Sequence, residues 1–169
     1  LSSRVEGLKT VLYQERLGSV HQKSERARTL ALWLVASLGL GEIRPLVDRA
    51  AFLAKADLLT NMVYEFPELQ GVMGREYARR EGEPDRVALA LHEQYLPRFA
   101  GDRLPTDAVG ALVGLAHQAL ETAVRAGERA AFVAEEFALH EFLRQGRAVH
   151  HHEGPVGAGA VVMDGPGEQ

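Results

Sequence analysis

Cysteine is absent from the 169 residues. Its absence excludes a disulfide scaffold, a zinc–thiolate centre and a cysteine nucleophile, and it fits a reducing, cytoplasmic compartment. No apolar run approaches the ~20 residues that cross a bilayer. No basic stretch followed by an apolar one opens the chain, so no signal peptide is read there. Strong charge of one sign is missing too. The formal net charge is -4, which argues against a wholly basic nucleic-acid module but leaves room for a local basic patch. Alternating β-branched runs with hairpin signals are lacking, so strands are not expected. What is present is a 46% hydrophobic fraction. That excludes disorder as the default, and the length suits one domain, or one domain plus an appendage. The chain opens on Leu1 rather than Met, which predicts a piece of something longer or a processed product.

Helical periodicity dominates, and the expected class is all-α. Leu1, Val5, Leu8 and Leu12 predict a first helix that ends at Leu17-Gly18-Ser19, with Gly18 as its C-cap. Ala27, Leu30, Ala31, Leu34 and Leu38 predict a second, stopped at Gly39-Leu40-Gly41. Pro45 opens a third that places Leu46, Ala50, Leu53 and Asp57 on one face. Pro67 opens a fourth through Met73 and Tyr77. Asp85 precedes a fifth with Val87, Leu91 and Tyr95, ended by Pro97. Pro105-Thr106-Asp107 caps a sixth carrying Val109, Leu112, Val113, Ala116, Leu120 and Val124. Phe132, Glu136, Leu139 and Leu143 predict one more, ended by Gly146. The expected division is a helical domain over 1–145 and a flexible tail over 146–169.

The informative stretch runs from Lys55 to Arg75. A carboxylate on an apolar stripe, as Asp57 is placed, is costly unless partnered. It reads either as a structural group that caps a neighbouring helix or pairs with a cation, or as a metal ligand or general base. His92-Glu93 reads as a partly exposed structural pair, with a metal-ligating pair as the alternative. The His150-His151-His152-Glu153 run lies in the tail, where no fixed geometry prepares a metal site. The candidates for phosphate contact are basic: Arg75, Arg79 and Arg80, then Arg98 and Arg103 near Tyr95 and Phe99, and Lys23, Arg26 and Arg28. Glu76, Glu81 and Glu83 dilute that field.

The KADLLTNMVYEFPELQGVMGREYA run, Lys55 to Ala78, resembles the β subunit of bacterial heterotetrameric glycyl-tRNA synthetase. The ALHEQYLPRFAGDRLP run, Ala90 to Pro105, continues the resemblance, which covers about residues 1–116. It implies an internal HD-type helical domain that positions tRNA(Gly) and scaffolds the enzyme. It also implies that the centre using ATP and Mg to charge tRNA with glycine lies on a partner α subunit. The fragment itself then has no catalytic, cofactor or metal site, and no membrane partner. HD-type domains descend from metal-dependent phosphohydrolases. The ligand positions of that ancestry fall at Lys23, at Ala56-Asp57 and at His117, so only Asp57 keeps a ligand of the original set. Lys23 in a ligand's place implies an ion pair with Asp57. A metal-dependent phosphohydrolase and a helical interaction module without activity remain as alternatives. After Ala116 the expected ADKLDTL-like and PTGSxDPFALRR-like blocks are missing. That predicts a divergent or truncated homologue, a fusion, or an end translated out of frame.

Overall fold

The computed structural model describes residues 1–15 and 17–125. The expected helix around Phe132–Leu143, the boundary at 145 and the histidine-rich tail lie outside the described residues. Seven α-helices and one two-stranded sheet make up the described part, so the all-α expectation holds with one small exception. The helices are α1 (Ser2–Val5), α2 (Val20–Ser37), α3 (Arg44–Leu53), α4 (Asn61–Glu65), α5 (Val72–Arg80), α6 (Asp85–Glu93) and α7 (Ala108–Arg125).

The exception corrects the first predicted helix. The chain leaves α1 through a 3-10 turn over Glu6–Thr10 and enters a strand, β1 (Leu12–Gln14), paired antiparallel with β2 (Gly18–Ser19). Leu1, Val5 and Leu8 are buried as their spacing predicts, but Leu12 is 65% exposed. Gly18 is therefore no helix C-cap. Ser19 is instead the N-cap of α2: its hydroxyl accepts from Gln22 N, and the Gln22 side chain accepts from Ser19 N at 2.9 Å. This reciprocal pair satisfies two of the amides left open in a first helical turn.

The core forms where α2, α3, α6 and α7 meet. Ala27, Ala31 and Val35 of α2 face Val47, Ala50, Ala51 and Leu53 of α3, Val87, Ala88 and Leu91 of α6, and Val109, Val113 and Ala116 of α7. Alanines at the contacts let helices approach closely, and larger side chains fill the space around them. Leu30 and Leu34 pack at the edge, while Leu38 is left outside. Helix α7 lies close on α6. A Cβ on Gly114 would stand 2.9 Å from the Gln94 carbonyl oxygen, so the sequence needs glycine there.

Two more expectations are revised. Helix α3 ends at Leu53, and Asp57 lies in the following 3-10 turn, Ala56–Leu59, rather than on the α3 stripe. The helix predicted from Pro67 through Tyr77 is split. Pro67–Leu69 forms one 3-10 turn, Gly71 adopts φ +80°, and α5 begins only at Val72. The short α4, unpredicted from the sequence, is capped by Thr60, whose hydroxyl accepts from Val63 N.

Candidate functional site

Three residues expected to mark an ancestral metal site lie on the core side of this arrangement. Asp57 is 2% exposed, Lys23 5% and His117 3%. Their partners differ from the expected ion pair. Lys23 is bonded to Glu121 of α7 and lies over the Tyr13 ring, 4.5 Å from its centroid. Asp57 instead accepts from Gly71 N at 2.7 Å through Oδ2, capping the start of α5. This is the structural reading of Asp57, a carboxylate capping a neighbouring helix. The helix start favours a negative charge through its open amides. The geometry needs glycine at two positions. Gly71 has a left-handed φ, and a Cβ on Gly74 would stand 3.2 Å from Asp57 Oδ2. Burial nevertheless pushes the Asp57 carboxyl above its ordinary value of 3.8, against the Gly71 amide and the charge of Lys55. Among the described residues, no three His, Cys, Asp or Glu side chains come together to hold a metal.

Lys55, which sequence reasoning left without a role, is the other charged group here. Its ammonium donates to Tyr95 Oη at 2.9 Å and lies over the same ring, 4.1 Å from the centroid. Burial pushes the amine down to about 8, helped by the nearby charge of Lys23 and opposed by Glu121 and Asp57. Burial holds the His117 imidazole well below its usual value, and the charges of Lys55 and Lys23 add to that. Gln94 completes the wall by donating from Nε2 to the Ala54 carbonyl at 2.7 Å, which closes the end of α3.

The five arginines expected to touch RNA divide into two sets. Arg75, Arg98 and Arg103 all bring positive charge to His92, whose imidazole is lowered first by burial and then by these three. Arg98 and Arg103 sit on the exposed segment between α6 and α7, with Phe99 68% exposed beside them. Asp102 accepts from Arg98 N at 2.9 Å and Arg103 N at 2.8 Å, which folds this segment back on itself. Arg79 and Arg80 sit at the C-terminal end of α5, where Arg79 faces Asp85 at 3.8 Å. Arg75 is partly engaged by Glu76 at 3.0 Å. Lys23 and Arg28 are unavailable to a polyanion: the first is buried, and the second is held by two hydrogen bonds to Asp48, at 2.6 and 3.0 Å.

The His92-Glu93 pair is buried rather than partly exposed, at 7% and 3%. Glu93 accepts from Thr106 N at 3.0 Å, Thr106 Oγ1 at 2.6 Å and Asp107 N at 3.2 Å. It therefore ties the arginine-bearing segment to α6 and meets the amides ahead of α7. The signal was in the sequence, since Thr106-Asp107 precedes a helix whose first amides need acceptors.

A buried carboxylate cap, a clamped loop and exposed arginines beside one aromatic make up the candidate site. The family described as glycyl-tRNA synthetase beta subunit matches residues 1–138. The chain belongs to this family. The match runs further than the 1–116 read from motifs. The glycine–tRNA ligase beta subunit of Myxococcus xanthus is 60% identical over 116 residues, 69% of this chain and 16% of that protein. That of Desulfitobacterium hafniense (strain DSM 10664 / DCB-2) is 54% identical over 117 residues, 69% of this chain and 17% of its own length. That of Alteromonas mediterranea is 50% identical over 124 residues, 73% of this chain and 18% of its own length. The chain thus spans under a fifth of the length of these relatives. Among the described residues, no helix is long and apolar enough to cross a membrane.

Proposed function

We propose that this chain is the tRNA-positioning and scaffold part of a glycine–tRNA ligase beta subunit, of HD-type architecture and without a catalytic centre of its own. Its partners are tRNA(Gly) and an α subunit, within a cytoplasmic heterotetramer. ATP and Mg belong to the α subunit, where glycine is activated. The observation that carries this reading is the grouping of Arg75, Arg98 and Arg103 around His92, beside an exposed Phe99, in a chain of this family. Guanidinium groups bind phosphate oxygens, and a neighbouring ring stacks on an unpaired base. Arg79 and Arg80 add a weaker second contact, because Asp85 offsets the first of them. Lys23 and Asp57 hold the interior in place through Glu121 and Gly71 N, and no proton or metal step is assigned to them or to His117.

The reading is tested by titrating the full chain with tRNA(Gly) at several salt concentrations and by gel filtration with α subunit. Neutralising three phosphates predicts that affinity falls about 20- to 40-fold between ~50 and ~200 mM salt. Salt-independent binding, or no binding together with no co-elution, would overturn it.

A further inference from the structure

The cleft beside Lys55 carries more polar chemistry than the scaffold role uses. It has a volume of about 510 Å³ and opens between the 67–70 turn, the 94–98 segment and α7. Small-molecule sites span roughly 300–1,000 Å³. Three groups at its lining are buried with hydrogen-bonding capacity to spare. His117 has neither Nδ1 nor Nε2 bonded within the described residues, and Gln94 Oε1 is unpartnered as well. Lys55, 7% exposed, gives one hydrogen bond to Tyr95 and has two further donors. Buried polar groups ordinarily find partners, so this lining suits a polar ligand.

The sign of the ligand's charge follows from the neighbours. Lys55 is the buried cation of the lining, its charge partly offset by Asp57, and Lys23 is paired with Glu121. Arg98 brings a guanidinium to the rim. Of the two acidic lining residues, Glu121 is engaged by Lys23 and Glu68 is exposed. Ammonium, guanidinium and imidazole donors on separate elements suit a tetrahedral oxyanion better than a flat carboxylate, which one arginine fork satisfies. The volume exceeds what inorganic phosphate fills. Pro67 and Pro97 offer apolar walls, and Gln70 and Gln118 offer amides for the polar edge of a ring.

We propose that this cleft binds a phosphate monoester on an organic body of mononucleotide size, with its phosphate at Lys55, His117 and Arg98. Binding is non-covalent and needs no metal. The site is separate in function from the exposed arginine cluster, and only Arg98 serves both.

Calorimetric titration of the full chain with adenosine 5′-monophosphate, adenosine and inorganic phosphate tests this. The monophosphate binds once per chain, adenosine binds at least about tenfold more weakly, and phosphate displaces the nucleotide, as expected when a charge-assisted contact anchors it. Arg98→Gln weakens the nucleotide about tenfold, the cost of a hydrogen bond to a charged group. Lys55→Met abolishes binding. Because that buried substitution also perturbs folding, Arg98→Gln and the exposed Gln118→Ala carry the test if it does. Arg75→Gln leaves nucleotide binding unchanged. A 5′-phosphorylated oligoribonucleotide as a competing titrant tells an RNA end from a free nucleotide as the phosphate's source. The proposal is overturned if the monophosphate does not bind, if adenosine binds equally well, or if the Arg98 and Gln118 variants bind like wild type.

Discussion

Asp57 and Lys55 are buried charges held by different means, and each makes a prediction about pH. Asp57 caps α5 through Gly71 N, yet burial raises its carboxyl above 3.8. A raised carboxyl contributes stability below the unfolded value, and that contribution is lost as pH rises through the folded one. Asp57→Asn keeps an acceptor for Gly71 and removes the charge. Relative to that variant, wild type is expected to lose stability as pH rises from about 4 and then level off, as measured by urea melts. Asp57→Ala removes the acceptor and costs about 1–3 kcal/mol at low pH, because the Gly71 amide stays buried and unpaired, and this cost shrinks as pH rises and the wild-type carboxyl ionises. Lys55 works in the opposite sense. Its folded value of about 8 lies below 10.5, so protonation opposes folding below pH 8 and the penalty fades as pH rises toward 10.5. The shift corresponds to roughly 3 kcal/mol. Wild type should therefore gain on Lys55→Met between about pH 7.5 and 9.5, below the range where the Tyr95 phenol, itself raised, begins to ionise.

At the scale of elements, starts and stops decide more than stripes do. The Ser19-x-x-Gln22 capping box begins α2, and Ser19→Ala is expected to lower stability by about 0.5–2 kcal/mol in thermal or urea melts. Gly71 sets the bend between the Pro67–Leu69 turn and α5, and a Cβ there would meet the Tyr95 ring at 2.6 Å. Gly71→Ala combines that clash with a left-handed φ and is expected to cost roughly 1–3 kcal/mol, with the loss read by the same melts. The periodic residues of α7 and the buried faces of α2 and α6 were legible in the sequence, because a 3.6-residue repeat of apolar side chains has no competing reading at that length. The hairpin was not. Leu12 continues the helical spacing of Leu1, Val5 and Leu8, although the backbone has already left the helix, and only the Ser19–Gln22 cap marks where the next one begins. Asp57 extends the α3 spacing in the same misleading way, across a 3-10 turn.

For the whole molecule, sequence motifs identified the family but not which charges are free to act. Lys23, Arg28 and Arg75 look alike as basic residues. The fold buries the first, pairs the second with Asp48 and leaves the third partly exposed among two other arginines. Long-range pairing of this kind, with Glu121 lying 98 residues from Lys23, carries no local sequence signal. The clamp of Glu93 on Thr106 and Asp107 joins α6 to the segment that carries Arg98 and Arg103. The most direct measurement compares tRNA(Gly) binding by wild type, by Arg75→Gln/Arg98→Gln/Arg103→Gln and by Arg79→Gln/Arg80→Gln across a salt series. The account predicts that the triple variant loses about three phosphate contacts' worth of salt dependence, while the double variant keeps most of it. A triple variant with the wild-type affinity and salt slope would contradict it.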